Sequence, residues 1–293
     1  MRLGGPIFKH EERDPARLVK IHQRLGYSAA YCSYIADGNE REEYKQAFRE
    51  ADIVLAELGA YCINISDPDI ARQEKNIAEI MTRLRQAEEM ETVCCVMHGG
   101  SYNNMGCVMS HKDNFAEANI EHNIRVIQRI IDEVEPRRTK LVLETESYVL
   151  PDNPDLYLRM MKEINRDAFA VHLDPVNMTS DPRRVYYNGD FIRECFEKLG
   201  PYIVSCHAKD TNLVHHATTQ ITETYLGNGT LDYDEYLTQL SRLPQEPPLM
   251  IEHLSEDELP AALDYIFGKA EQLGLTFKHR EKRELFGQTH NTV

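Results

Sequence analysis

The sequence predicts an α/β protein folded as a single (β/α)8 TIM barrel, in which eight parallel strands form a ring surrounded by helices. Short apolar runs rich in strand-forming residues recur eight times along the chain. Each run is followed by a segment with apolar residues at three-and-four spacing, which is typical of an amphipathic helix. The chain of 293 residues is long enough for eight such units. A doubly wound open sheet is the alternative fold, because pattern alone can miscount strands by one or two.

The predicted strands are short apolar runs, and they lie at residues 1–5, 26–32, 60–65, 92–98, 140–145, 169–174, 202–207 and 248–253. Several of the predicted helices begin at Asp, Asn or Pro, which favour helix N-termini. These helices lie at residues 14–25, 40–58, 71–90, 114–134, 154–164, 190–199, 232–243 and 258–273. The alternation of strand and helix predicts a parallel sheet.

One domain is predicted, because no low-complexity linker divides the sequence. Residues 1–275 are expected to form the barrel, and residues 276–293, which are charged and polar, a C-terminal tail. The chain opens without an apolar run of signal-peptide length, and nowhere do 18 apolar residues follow one another. We therefore expect a cytoplasmic protein with no membrane partner.

Charge and cysteine content narrow the functional classes. The formal net charge of −15 disfavours a nucleic-acid partner, which needs a basic surface, and mildly favours a bound cation. The seven cysteines are scattered with no Cys-x-x-Cys pair, so reduced core thiols are the expected state. The sequence does not fix the oligomeric state and is compatible with a homo-oligomer.

Four polar residues stand at the ends of the last four predicted barrel strands. They are Glu144, Asp174, His207 and Glu252. In a (β/α)8 barrel the carboxyl ends of the strands converge at one mouth, where active sites form. Three carboxylates and an imidazole in one volume would repel and desolvate one another unless a cation binds them. The sequence therefore predicts a divalent metal site with these four ligands.

The ligand set also indicates which metal is expected. Three oxygen ligands and one nitrogen suit Mn²⁺, with Mg²⁺ or Co²⁺ as plausible replacements, whereas Zn²⁺ would be favoured by thiolates. Removal of a proton next to the carbonyl of a hydroxy-carbonyl compound creates a negative enediolate, which a metal stabilises as a Lewis acid. Glu144 and Glu252 lie far enough apart around the barrel to face each other, so we expect them to be the catalytic acid/base pair.

Four further residues are candidates for supporting roles. His98, at the end of the fourth strand, and Lys209, two residues after His207, are predicted to bind substrate. Lys209 would neutralise an oxyanion or hold a carboxylate or phosphate, with a surface salt bridge as the alternative. Asn177 is predicted to bind a substrate hydroxyl or to cap a turn. His172, two residues before Asp174, is predicted to support the site from beneath.

Two connections are long enough to suggest active-site lids. The segment 98–113 follows the fourth strand and is rich in Gly and Asn. The segment 210–230, after the seventh strand, is longer still. Its two histidines, His215 and His216, are expected to face solvent.

The motifs "LETES", "VHLDPVN", "SCHAKD", "YLGNGTLDYDEYLTQL" and "MIEH" resemble the sugar isomerase and epimerase superfamily with a xylose-isomerase-like barrel. The resemblance extends from residue 1 to about residue 275. It implies that Glu144, Asp174, His207 and Glu252 are metal ligands and that Glu144 and Glu252 exchange a proton with the sugar. Ketose epimerases of this superfamily typically carry a histidine and an arginine where this sequence has Asn177 and Leu213.

Three functions follow from these expectations. The first is a metal-dependent sugar isomerase or epimerase acting on a small carbohydrate or polyol. The second is a dehydratase or lyase that begins with the same proton abstraction, similar to inosose dehydratase. The third is a hydrolase of the endonuclease IV type, which would need several more metal ligands and a basic surface. A free sugar, polyol or sugar acid is preferred over a phosphosugar, because no Gly-rich phosphate loop is evident.

Overall fold

Eight parallel strands form a nearly closed barrel in the computed structural model, which describes residues 1–9 and 11–284. The sheet order is β1-β10-β7-β6-β5-β4-β3-β2. The barrel strands are β1 (Leu3–Gly4), β2 (Ala29–Cys32), β3 (Val54–Gly59), β4 (Cys94–Met97), β5 (Lys140–Glu144), β6 (Phe169–Leu173), β7 (Ile203–Ala208) and β10 (Leu249–Ile251). This architecture confirms the predicted (β/α)8 barrel and excludes the open sheet.

The helices surround the barrel and connect successive strands. They are α1 (Pro15–Leu25), α2 (Gly38–Glu50), α3 (Ile70–Met90), α4 (Glu117–Val134), α5 (Pro154–Ile164), α6 (Pro182–Tyr186), α7 (Asn188–Leu199), α8 (Tyr233–Ser241) and α9 (Leu259–Gln272). Side-chain caps explain where many of them begin, because the cap oxygen accepts a hydrogen bond from an otherwise unpaired N–H. The capping residues are Asp14, Asp37, Asp69, Asn153, Asp181 and Asp232.

The third strand differs from the sequence prediction. The helix predicted over residues 40–58 ends at Glu50, and β3 begins at Val54, inside the range of that prediction. Asp52 adopts a left-handed backbone with φ 55°, which turns the chain out of α2. The segment 60–65, predicted as the strand, is a loop after β3. A strand buried on both faces is a continuous apolar run, and such a run cannot be told from a buried helix by period alone.

Close backbone contact joins the two ends of the sheet. Ser28 donates its backbone N–H to Leu3 across the gap between β1 and β2 at 2.9 Å. Gly4 makes this approach possible, since a Cβ there would lie 2.6 Å from the carbonyl oxygen of Ala29 and 2.6 Å from the sulfur of Met250. Glycine at this position therefore allows the ring to close.

A two-stranded antiparallel hairpin follows β7, formed by β8 (Asp210–Val214) and β9 (Gln220–Thr224). It contains most of the long connection predicted from the sequence. Residues 276–284, at the start of the predicted tail, include Phe277, which packs in the hydrophobic core. Residues 285–293 of that tail lie outside the described residues. No helix in residues 1–9 and 11–284 combines the length and apolarity needed to cross a membrane.

Candidate metal centre and active site

Four side chains converge at the carboxyl end of the barrel. Glu144 is the last residue of β5, Asp174 directly follows β6, His207 lies in β7 and Glu252 directly follows β10. One potential ligand atom from each lies within 4.8 Å of all the others. The structure thus brings together the four residues that the sequence placed at strand ends.

The imidazole of His207 is the centre of this cluster. Its Nδ1 lies 3.1 Å from Glu144 Oε1, 3.1 Å from Glu252 Oε2 and 3.7 Å from Asp174 Oδ2. Burial alone would lower the pKa of His207, but the surrounding negative charge, led by Glu252, holds it well above its usual value. The Nδ1 edge of the ring therefore meets three carboxylate oxygens. These oxygens require a cation, which is either a proton on Nδ1 or a metal ion.

Lys209 supplies a second positive charge beside the cluster. Its Nζ lies 2.7 Å from Glu252 Oε1 and 3.0 Å from Asp174 Oδ2. The side chain is only 1% exposed, so these contacts form a buried network and not the surface salt bridge that the sequence left open. Burial opposes the charged form, but Asp174 and Glu252 raise the pKa of Lys209 above its ordinary value. The ammonium therefore offsets part of the negative charge of the three carboxylates.

The donor set fits a divalent cation. Asp174 Oδ2 and Glu252 Oε1 are buried and have no partner of hydrogen-bond geometry among the described residues, although both lie at ion-pair distance from Lys209. Buried carboxylate oxygens without hydrogen bonds are costly unless a cation binds them. Lys209 offsets one of the three carboxylate charges, so a divalent ion would balance the other two. Three oxygens and one imidazole nitrogen are ligands suited to such an ion.

A fourth carboxylate lies beneath the cluster, in the middle of β3. Glu57 is fully buried, and each of its oxygens contacts one histidine and one hydroxyl. Oε1 contacts His172 Nε2 at 3.0 Å and accepts the hydroxyl of Ser205. Oε2 contacts His207 Nε2 at 3.1 Å and accepts the hydroxyl of Tyr61 at 3.3 Å. This arrangement places His172 below the site, where the sequence predicted it.

Glu57 determines that the Nε2 nitrogen of His207 carries a hydrogen. Burial disfavours its charge, but His172 and His207 stabilise it, and the pKa of Glu57 is well below its usual value. An ionised carboxylate can only accept, so His207 must donate its Nε2–H downwards. Its Nδ1 is then free to act as a ligand at the mouth, in the carboxylate–histidine–metal arrangement common in metalloproteins.

His98 and Asn177 both approach Glu144. His98 Nε2 lies 3.4 Å from Glu144 Oε2 and 3.6 Å from Glu146 Oε1, and Asn177 Nδ2 donates to Glu144 Oε1 at 3.3 Å. Burial would lower the pKa of His98, but Cys107 and the two carboxylates raise it to about 10. The side chain of Asn177 thus contacts a predicted ligand, while its backbone N–H donates to Asp174 Oδ1.

Glu146 is a carboxylic acid with a raised pKa beside the cluster. Burial and the adjacent charge of Glu144 raise its pKa to about 7. A carboxyl group with this pKa is divided between its acid and base forms near neutral pH. Together with His98 it provides two proton donors beside Glu144.

The hairpin β8–β9 covers one side of the mouth. Glu223 in β9 contacts Lys209 Nζ at 3.2 Å and His253 Nδ1 at 2.8 Å. His215 and His216 lie in the turn of the hairpin and are exposed, as expected.

Sequence reasoning missed Glu57, Glu146 and Glu223 as parts of this network. Glu57 lies in the segment that the sequence predicts as a helix. Glu146 follows Glu144 by two residues, and this spacing along the strand direction was the available signal for it. Glu223 reaches the site through the pairing of β8 with β9, for which the sequence offered no local indication.

The sequence from residue 20 to residue 269 matches the family model described as xylose isomerase-like TIM barrel. No curated protein sequence matches the chain. Several solved structures share the fold at low identity, and the matches below show similarity of architecture only.

The probable 3-DHS dehydratase AsbF from Bacillus anthracis superposes with a TM-score of 0.68 and 17% identity, covering 91% of this chain and 98% of its own. The 3-keto-D-glucoside 4-epimerase YcjR from E. coli gives a TM-score of 0.66 and 15% identity, covering 94% and 99%. Endonuclease IV from Thermus thermophilus gives 0.70 and 14%, covering 93% and 100%. Similar folds thus belong to proteins described as a dehydratase, an epimerase and an endonuclease.

Proposed function

This chain belongs to the xylose isomerase-like TIM barrel family, and we propose that it is a divalent-metal-dependent isomerase or epimerase of a small sugar or polyol. The reaction would remove a proton from a carbon atom next to a carbonyl group and then return a proton to the substrate. The observation that carries the proposal is the convergence of Glu144, Asp174, His207 and Glu252 at the mouth of the barrel. Such a cluster of buried charges at strand ends is typical of a functional site.

The proposed ligands are these four side chains, and the proposed metal is Mn²⁺, with Mg²⁺ or Co²⁺ as alternatives. When bound, the metal would supply Lewis-acid stabilisation of negative charge on the substrate oxygens, worth several kcal/mol. The burial of Asp174 and His207 supports this proposal, because it keeps water away from the place where that charge develops.

Glu144 and Glu252 are proposed to exchange the proton. They approach His207 Nδ1 from different strands, β5 and the end of β10, each with an oxygen at 3.1 Å. One carboxylate would take the proton from carbon on one face of the substrate, and the other carboxyl group would return a proton on the opposite face. Asn177 and Lys209 would orient them, since Asn177 donates to Glu144 and Lys209 contacts Glu252.

A dehydratase is the second candidate, and Glu146 is the observation that favours it. Elimination begins with the same proton abstraction, but it also needs an acid that protonates the leaving hydroxyl. Glu146, with its pKa raised to about 7, and the protonated His98 lie beside Glu144 and could donate that proton. An endonuclease is less well supported, because the net charge of −15 is unfavourable for binding DNA.

Metal content and solvent exchange test the proposal together. Purified protein loaded with Mn²⁺ should hold about one ion per chain, and Asp174→Ala prepared identically should lose it. The loaded enzyme should then incorporate deuterium from D₂O into a ketose or aldose of a substrate panel, whereas a dehydratase would release an unsaturated product. Several zinc ions per chain in the protein as purified, before Mn²⁺ is added, would favour phosphodiester hydrolysis instead. Glu252→Gln that retained both metal and full activity would remove Glu252 from the mechanism.

A further inference from the structure

Lys209 has three carboxylate partners, and one of them differs from the other two. Asp174 and Glu252 belong to the barrel and lie in the proposed metal centre. Glu223 belongs to the hairpin β8–β9, which forms a separate two-stranded sheet. It is also the most exposed of the three, at 39%, against 0% for Asp174 and 13% for Glu252. Glu223 is therefore the partner that can leave Lys209 without disturbing the barrel.

The carboxylate of Glu223 is held by two donors, one for each oxygen. Oε2 lies 3.2 Å from Lys209 Nζ, and Oε1 lies 2.8 Å from His253 Nδ1. Burial opposes its charge, but His253 and Lys209 hold the pKa of Glu223 below its usual range. His253 lies next to the cluster, with its Nε2 3.7 Å from Glu252 Oε2, and has a left-handed backbone with φ 51°. An ammonium and an imidazole spaced in this way match the two oxygens of a carboxylate.

We propose that Lys209 and His253 form a carboxylate-binding subsite, that Glu223 occupies it in the absence of substrate, and that the substrate is a hydroxy acid or keto acid of the sugar or polyol type. The proposal rests on the proposed function, because it assigns the substrate class of the same site. The carboxylate of the substrate would replace that of Glu223 when the hairpin moves away.

Charge balance supports this exchange. With a divalent cation bound, that ion and Lys209 together balance the three carboxylates of Glu144, Asp174 and Glu252. A neutral sugar that displaced Glu223 would break its contacts with Lys209 Nζ and His253 Nδ1 and offer no negative charge in return, which is unfavourable. An acid would restore both contacts and replace one negative charge with another. Neutral substrates of similar size are therefore expected to bind more weakly.

The test compares acids with neutral molecules of the same carbon skeleton. The probes are glycolate, D-glycerate and D-gluconate, paired with ethylene glycol, glycerol and D-glucitol, and binding to Mn²⁺-loaded protein is measured by calorimetry. Glu223→Ala vacates the subsite, so at least one acid should bind tenfold or more tightly to this variant than to the wild type. The neutral partner of that acid should gain less than threefold.

Two further variants make the result specific. Gln220→Ala changes an exposed residue of the same strand and should leave acid binding within twofold of the wild type. His253→Asn, combined with Glu223→Ala, should lose most of the gain, and because His253 is exposed the double variant should remain folded. Retention of the Mn²⁺ stoichiometry and of the melting temperature verifies that the site is intact.

Two outcomes would overturn the proposal. In the first, no acid binds more tightly to Glu223→Ala than to the wild type. In the second, the neutral partners gain as much as the acids, which would mean that Glu223 only blocks access. Either result with normal Mn²⁺ binding leaves the proposed isomerase function intact, whereas loss of Mn²⁺ binding in the wild type would contradict that function itself.

Discussion

Replacement of Glu57 by glutamine should weaken metal binding at a site that Glu57 does not touch. Each carboxylate oxygen of Glu57 now accepts from one histidine, His172 on Oε1 and His207 on Oε2. Glutamine keeps the shape but offers one acceptor oxygen and one NH₂ donor. One histidine must then lose its N–H contact or change its tautomer, and the negative charge that favours a cation at the other end of His207 disappears.

The magnitude follows from the geometry of this contact. Residues that hold a metal-ligating histidine by its second nitrogen typically contribute roughly 10- to 100-fold in metal affinity. That range corresponds to about 1.4 to 2.7 kcal/mol of binding free energy. We expect Glu57→Gln to lie near the upper end, because Glu57 is fully buried and cannot be replaced by water. Tyr61→Phe removes only the long hydrogen bond, 3.3 Å, that the tyrosine hydroxyl donates to the same carboxylate, and it leaves both histidine contacts in place, so it should cost less than threefold.

Free Mn²⁺ in titrations is measured directly by electron paramagnetic resonance, which gives the dissociation constant without any assay of activity. The visible absorption bands of Co²⁺-loaded protein report the ligand field, so they should shift in Glu57→Gln and stay unchanged in Tyr61→Phe. Melting of the metal-free proteins separates loss of folding from loss of affinity. A dissociation constant of Glu57→Gln within threefold of the wild type, with unchanged Co²⁺ bands, would refute the reasoning.

Three other predictions concern stability. Burial lowers the pKa of His22 from 6.5 to about 4. Between these pH values the unfolded chain binds more protons than the folded one. The free energy of unfolding should therefore fall by roughly 3 kcal/mol as the pH drops from 6.5 to 4. Denaturant titrations of His22→Leu should lack this fall, and an unchanged pH profile would exclude His22 as its source. Glu146 has its pKa raised to about 7 from 4.5 by burial and by negative charge, so the metal-free folded state holds the extra proton and stability should decline by roughly 2 to 3 kcal/mol between pH 4.5 and 7. Chemical unfolding of Glu146→Gln should show a flatter profile there. Gly4→Ala places a methyl group 2.6 Å from a backbone oxygen and should lower the free energy of unfolding, measured by urea titration, by about 1 to 3 kcal/mol. Gly268→Ala is the control in α9, where a Cβ meets nothing within 4 Å, and it should raise the free energy of unfolding by up to about 1 kcal/mol.

The strand-end rule explains why much of the cluster could be predicted from the sequence. Glu144, Asp174, His207 and Glu252 each follow a clear apolar run, and the ends of parallel strands in a barrel meet at one mouth. Their convergence therefore depends on the fold and not on details of side-chain packing. The two-residue period also predicts that Lys209 points to the same side as His207, but the contact of Lys209 with Glu223 of the hairpin could not be read from that period.

The deeper layer could not be predicted because its key residue lies within an ambiguous segment. The run that contains Glu57 continues the apolar spacing of α2, so period alone favoured one long helix. A charged residue in the middle of a strand also contradicts the usual pattern of a buried parallel strand. It is tolerated here because His172, Ser205 and His207 reach it from β6 and β7, and these contacts span more than 100 residues of sequence.

His207 connects the two carboxylate layers, and this position explains how the site can hold a cation without rearrangement. Nε2 remains bonded to Glu57 whether Nδ1 carries a proton or a metal, so the ring orientation is the same in both states. Glu144 and Glu252 each place an oxygen 3.1 Å from Nδ1, and the same two oxygens would face a metal ion bound to Nδ1. Lys209 meanwhile holds the far oxygen of Glu252, which limits the repulsion between the carboxylates. Exchange of one proton for one divalent ion then changes the charge of the centre by a single unit, and the barrel strands need not move.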